Sequence, residues 1–185
     1  IYRFHTLETL QCMVERRDRK GKPQGAVAVT CLEGDAVWDA EALGEVYAQP
    51  EFLEHNPGRD PKVHVARFAR EWEQTGFSLW AVEDPKSRRF IGRIGLLRHH
   101  DWPESESPVE VGWVLHRDWW GRGLATEAGR AGLECWREHL NDPQLISITT
   151  PANRRSRAVM ERLGLTERGE TRWHGHGVVW YAIDR

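Results

Sequence analysis

Gly121 and Gly123 bracket Arg122 where an apolar run, 109–115, meets an amphipathic stretch beginning at Leu124. A helix start leaves its first amide hydrogens unpaired and carries partial positive charge, and glycine removes side chains that would keep an anion away. The chemistry implied is a seat for a pyrophosphate. The plainer reading is that Gly-Arg-Gly only starts a packed helix. Glu110 stands on the run that leads to this turn, where its plainer reading is a strand-end acid paired with an arginine.

Two phosphate loops can be tested against these residues. No Gly-x-x-x-x-Gly-Lys-Ser/Thr run exists, which argues against a P-loop nucleotidase. The dinucleotide pattern Gly-x-Gly-x-x-Gly/Ala fails because Thr126 holds its third small position. Asp142, near the spacing of a ribose-binding acid, precedes the next strand instead of ending it.

What remains, Asp118-Trp119-Trp120-Gly121-Arg122-Gly123, resembles the coenzyme A signature Gln/Arg-x-x-Gly-x-Gly/Ala of the GCN5-related N-acetyltransferases, departing at its first position. The longer string from Glu110 to Ala128 is similar to the ribosomal-protein N-terminal acetyltransferase branch, which tolerates that departure. A second match follows downstream: Asn153-Arg-Arg-Ser156 and the run to Gly164-Leu165 resemble the family's Asn-x-x-Ser helix. On its own, Asn153 is an ordinary helix cap.

The resemblance implies an α/β fold: a single GNAT domain with a mixed, mostly antiparallel central sheet flanked by helices. It implies acetyl-CoA as co-substrate and a primary amine as acceptor, either a protein N-terminus or a small molecule. It places backbone amides of Trp120, Gly121, Arg122, Gly123, Leu124 and Ala125 on the pyrophosphate, with Arg122 adding charge. Arg117, Arg154, Arg155 and Arg157 are further phosphate candidates. A main-chain amide around Val114 and Leu115 would meet the thioester carbonyl, Asn153 and Ser156 would lie beside the pantetheine arm, and Glu110 would receive the amine proton. Many members carry a tyrosine as proton donor where this chain has Met160, so Ser156 inherits that role by resemblance, or only hydrogen-bonds the coenzyme. His174 and His176 would line the acceptor pocket, where imidazole suits proton traffic.

The elements that must hold these groups are legible from periodicity. Leu124, Ala128, Ala131 and Cys135 recur at helical steps, with Glu127, Arg130, Glu134 and Arg137 facing outward. In 109–115 apolar residues alternate onto both faces, which predicts a strand buried on both sides. Helices are expected over 38–47 and from Pro61 to a stop at Gly76, strands over 77–83, 89–97, 145–150, 171–174 and 178–183, and a helix from Asn153 to Leu163. The acetyltransferase resemblance covers residues 38–185. Residues 1–37 form an atypical extension in which 26–32 is the only substitute for the family's first strand.

Length and composition bound the rest. A chain of 185 residues with 39% hydrophobic content supports one domain with a substantial core. A formal charge of −2 argues against a general nucleic-acid binder. No run reaches the roughly 18 apolar residues of a membrane span and no leader is evident, so the expected setting is cytoplasmic. Three widely spaced cysteines without Cys-x-x-Cys, and histidine pairs lacking ligand spacing, indicate no metal. Ten tryptophans leave room for a homodimer face. Two rival functions stay open. One is a catalytically silent acyl-CoA-binding module, suggested by Met160. The other is an acetyltransferase for a polycationic small molecule such as an aminoglycoside or polyamine, which Glu104 and Glu106 would suit.

Overall fold

The computed structural model describes residues 28–31, 36–84, 87 and 89–185. The chain runs β1 (Ala28–Cys31), α1 (Ala36–Tyr47), a short α2 (Pro50–Leu53), α3 (Pro61–Thr75), β2 (Leu79–Glu83), β3 (Phe90–Arg98) and β4 (Val109–Leu115). A 3₁₀ turn (Arg117–Trp119) follows, then α4 (Leu124–His139), β5 (Gln144–Thr149), α5 (Arg154–Arg162), β6 (Thr166–Trp173) and β7 (His176–Asp184). The strands make one seven-stranded sheet in the order β1-β2-β3-β4-β5-β7-β6, in which β4–β5 is the parallel pair. β1, Ala28–Cys31, falls within the strand expected at 26–32 and lies on the edge beside β2. The charge cluster at 15–20 lies outside the described residues.

Local chemistry sets the helix limits. Asp60 caps α3 by accepting from Lys62 N at 2.8 Å, Pro61 fills the first helical position, and Gly76 ends the helix in a left-handed conformation. On one face of the sheet, α1 and α3 bury Leu43, Val46, Val65 and Phe68 against Leu79, Ala81 and Phe90. On the other, α4 buries Leu124, Ala128, Cys135 and Trp136 against Ile94, Val111 and Leu145. Gly129 lets α4 approach α5, since a Cβ there would lie 2.6 Å from a methyl of Leu163.

The expectation that β4 is buried on both sides does not hold. Val109, Val111 and Leu115 are buried in the main core, whereas Glu110, Gly112 and Val114 are only half-buried. Helices α1 and α3 cover the β2–β3 half of that second face. Trp102, Ile146, Val178 and Ala182 form a separate cluster over the β5–β7 half. Between these covers the face of β4 stays accessible. β6 is also longer than expected: Glu167, Arg168, Glu170 and Arg172 make it an exposed, charged edge, where hydrophobic alternation is weak.

Candidate active site

The parallel pairing of β4 with β5 stops after two residue pairs, Val109 with Leu145 and Glu110 with Ile146. Beyond them β4 stays bonded to β3 through Leu115, and β5 stays bonded to β7 through Thr149. The two strands therefore diverge. Ser147 Oγ donates to Val111 O at 2.8 Å across the root of the opening. A cleft of about 530 Å³ lies there, floored by Glu110, Gly112 and Val114 and walled by α3, the start of α5 and the β6–β7 turn. A second hollow, of about 570 Å³, lies near the C-terminal end of α4, where Asp142 holds Arg98 at 2.7 and 3.1 Å. That ion pair accounts for Asp142, the acid once weighed as a ribose ligand.

Glu110 is held from two sides. Its Oε1 accepts from Ile148 N at 3.3 Å, and its Oε2 lies 2.6 Å from His99 Nε2. His99 is only 3% exposed and sits edge-on to Trp173, ring centres 4.7 Å apart. Its Nδ1 is buried and meets no partner. With a proton on Nε2 the ring donates to the carboxylate, and Nδ1 then needs no acceptor. Glu110 thus pairs with a histidine, and not with an arginine.

His99 stands in a histidine pair, and nothing in its neighbourhood in the sequence marks it as the partner of Glu110. The missed signal lies in the hairpin register. Leu97 stands opposite Glu110, and His99, two residues on from Leu97, is the diagonal neighbour of Glu110 on the same face.

The Gly-x-Gly turn leaves the start of α4 uncapped. Gly121 and Gly123 have φ of 74° and 79°, Gly123 is the cap of α4, and no side chain caps this helix end. A Cβ at either glycine would meet nothing within 4 Å, so the conformation, and not crowding, calls for glycine here. Arg122 lies over the Trp119 ring and Arg155 over the Trp120 ring, at 4.6 and 4.9 Å, so two guanidinium groups flank the turn. Two other candidates are engaged elsewhere: Arg117 pairs with Glu51 at 2.9 Å, and Arg157 pairs with Glu167 at 2.8 Å and bonds Tyr181.

The expected site residues fall into two groups. Glu110, Val114, Asn153, Ser156, His174 and His176 line the cleft. Leu115 and Trp120 to Ala125 do not; they lie at the C-terminal end of β4 and beyond it. Leu115 is buried in the main core, and its carbonyl accepts from the Trp120 indole at 2.8 Å. Asn153 acts as a cap, its Oδ1 accepting from Ser156 N at 3.1 Å. His174 lies 3.1 Å from Asp101 at the rim. Glu104 and Glu106 are exposed and outside the cleft lining, so the acidic loop does not supply a polycation pocket.

Residues 35–166 match the family model described as the acetyltransferase (GNAT) domain. The chain belongs to the GNAT acetyltransferase family. It is 24% identical over 160 residues to the Bacillus subtilis protein YdaF, named a "putative ribosomal N-acetyltransferase", covering 78% of this chain and 85% of YdaF. Its fold is similar to that of an acetyltransferase from Agrobacterium tumefaciens, with a TM-score of 0.71 and 27% identity over 86% of this chain and 91% of that one. It shares the fold of the ribosomal L7/L12 α-N-protein acetyltransferase RimL, solved with coenzyme A. There the TM-score is 0.66 and the identity 14%, over 87% of this chain and 95% of that one.

GNAT enzymes use acetyl-CoA, and the bare helix start at Gly123 together with the splayed β4–β5 pair fits such a group. This GNAT chain departs at Met160, which is 1% exposed within the main core and outside the cleft lining. A thioether has no proton to donate. Among the described residues, no helix is long and apolar enough to cross a membrane.

Proposed function

We propose that this acetyltransferase moves an acetyl group from acetyl-CoA to a peptide N-terminal amine, with Glu110 as proton acceptor. The observation that carries the reading is a cleft-facing carboxylate backed by a buried histidine, in the gap where β4 and β5 part. Acetyl-CoA supplies the activated acyl carbon: the amine nitrogen forms the new C–N bond, the C–S bond breaks, and the sulfur leaves as the thiol. Two protons must move, and the chain's own groups move them.

An α-amine near pKa ~7.7–8.0 is neutral in roughly one molecule in ten at pH 7, whereas a lysine amine near ~10.4 is almost wholly charged. An N-terminus therefore asks less of the base. Glu110 takes the amine proton, and His99 fixes the carboxylate's rotamer by donating from Nε2. The Leu115 amide, which points away from β3 at the level where β4 has left β5, stabilises the acyl oxygen. Ser156, which lines the cleft at the start of α5, passes a proton to the leaving sulfur in place of a tyrosine and takes its replacement from solvent. The turn from Trp120 to Ala125, with Arg122, holds the pyrophosphate.

The test is release of coenzyme thiol with acetyl-CoA and a panel of short peptides. The proposal expects saturable release that depends on a free peptide N-terminus. Tight acetyl-CoA binding without release for any acceptor would favour the silent binding module instead.

A further inference from the structure

The cleft's charge is concentrated on the side away from Glu110. Arg93 on β3 stands opposite Val114, and Leu97 opposite Glu110, so all four share the cleft face of the β3–β4 pair. Arg93 is half-buried, its guanidinium 5.3 Å from the Phe68 ring centre and 5.7 Å from that of Tyr47. A hydrogen-bond chain fixes it: Arg93 Nε donates to Tyr47 Oη at 2.9 Å, and that hydroxyl is hydrogen-bonded to His64 Nδ1 at 2.8 Å. Arg67, one turn beyond His64 on α3, and Arg59, just before the helix, line the same wall.

Among the described residues, ion pairs engage Arg98, Arg117, Arg157 and Arg168, and none engages Arg59, Arg67 or Arg93. Of the cleft's two carboxylates, Glu54 lies exposed at the rim and Glu110 is held by His99. The three arginines act on a common point. Together with the larger effect of burial, their charges hold His64 down at about 4, with Asp60 opposing weakly. A half-buried, pre-oriented guanidinium with no carboxylate of its own is a receptor for one.

We infer that this cleft selects an amine acceptor that also carries a carboxylate, received by Arg93 and Arg67 while the amine reaches Glu110. The inference rests on the acetyl-transfer reading and names its acceptor class. Arg93 and the residue opposite Glu110 are four strand positions apart, roughly 13 Å. From amine to carboxylate, an extended peptide with an acidic second or third residue reaches roughly 8–12 Å, and a hydrogen bond of about 2.8 Å at each end covers the rest of that span. A single free amino acid does not. The acceptor is therefore a peptide whose second or third residue is acidic. A polyamine or aminoglycoside would bring its positive charges against three arginines.

The test uses the full chain, acetyl-CoA and C-terminally amidated tetrapeptides that differ at the second residue: Asp, Ala or Lys. Free glutamate is a further arm. Both thiol release and calorimetric peptide binding are read. The Asp peptide should exceed the Lys peptide by about tenfold in kcat/KM, with an advantage that shrinks as salt is raised. Arg67→Gln, on the rim of α3, and Arg93→Met should each lower that ratio severalfold. Equal or better use of the Lys peptide by the wild type would overturn the inference, and so would preference for free glutamate over every peptide. If no acceptor releases thiol, the transfer reading fails, while the calorimetric ranking of Asp against Lys still decides the charge preference.

Discussion

Gly123→Val separates the anion seat from the fold that carries it. At φ 79° a residue with a Cβ is strained by about 1–2 kcal/mol, and a β-branched one sits at the upper end. No atom lies within 4 Å of the added Cβ, so no clash adds to this. For a domain of this size the melting temperature should fall by roughly 3–8 °C. Binding should suffer more. A valine side chain that keeps the pyrophosphate off the first-turn amides of α4 removes two charge-assisted hydrogen bonds at about 1.5 kcal/mol each, which weakens binding by about 3 kcal/mol. That is more than a hundredfold in Kd. Calorimetry with acetyl-CoA at a temperature well below both melting points reads the two effects apart. If the folded variant binds acetyl-CoA within about threefold of wild type, the pyrophosphate does not sit at this helix start.

Three further outcomes follow from the same geometry. His99→Leu should lower kcat about tenfold at unchanged KM for acetyl-CoA, because Glu110 loses its donor, and His99→Gln, whose amide can donate to the carboxylate, should recover part of the loss. A merely structural histidine would show no such recovery. Ser156→Ala should reduce kcat by roughly 10- to 100-fold with little change in coenzyme Kd; unchanged kcat in steady-state assays would remove it as proton donor. His64 titrates at about 4 when folded against 6.5 ordinarily, so between those values the unfolded chain binds more protons. Its contribution is full above pH 6.5 and is lost as pH falls toward 4. After discounting for the part-exposed ring it amounts to roughly 1–2 kcal/mol. Urea unfolding across that range should show the loss in wild type and a flatter dependence in His64→Asn.

Much of the scaffold was legible because its signals are local. Asp60-Pro61 and Gly76 bound α3, and the Leu124–Cys135 stripe marks α4, since capping and periodicity act within a few residues. The match of Gly121, Gly123, Asn153 and Ser156 in order pointed to the family. The failures were tertiary. Alternating apolar residues in β4 suggested two buried faces, but whether a face is covered depends on where α1, α3 and the Trp102 cluster end. His99 was invisible as a partner of Glu110 because a loop separates them in sequence and only the hairpin register rejoins them. Arg157 read as a phosphate ligand, yet β6 brings Glu167 to it from a strand too polar to be seen at full length. The cleft arginines are hidden in the sequence for the same reason: Arg93 and Arg67 come to line one cleft only when α3 folds onto β3.

The central claim is acetyl transfer to an N-terminal amine by Glu110. Its most direct measurement is tandem mass spectrometry of an Asp-containing peptide, carrying an internal lysine, after incubation with acetyl-CoA and either wild-type or Glu110→Gln protein. The account predicts one added acetyl group on the α-amine with wild type, and the same product formed about 100- to 10,000-fold more slowly with the variant. Acetyl on the lysine alone, or equal rates from the two proteins, would contradict it.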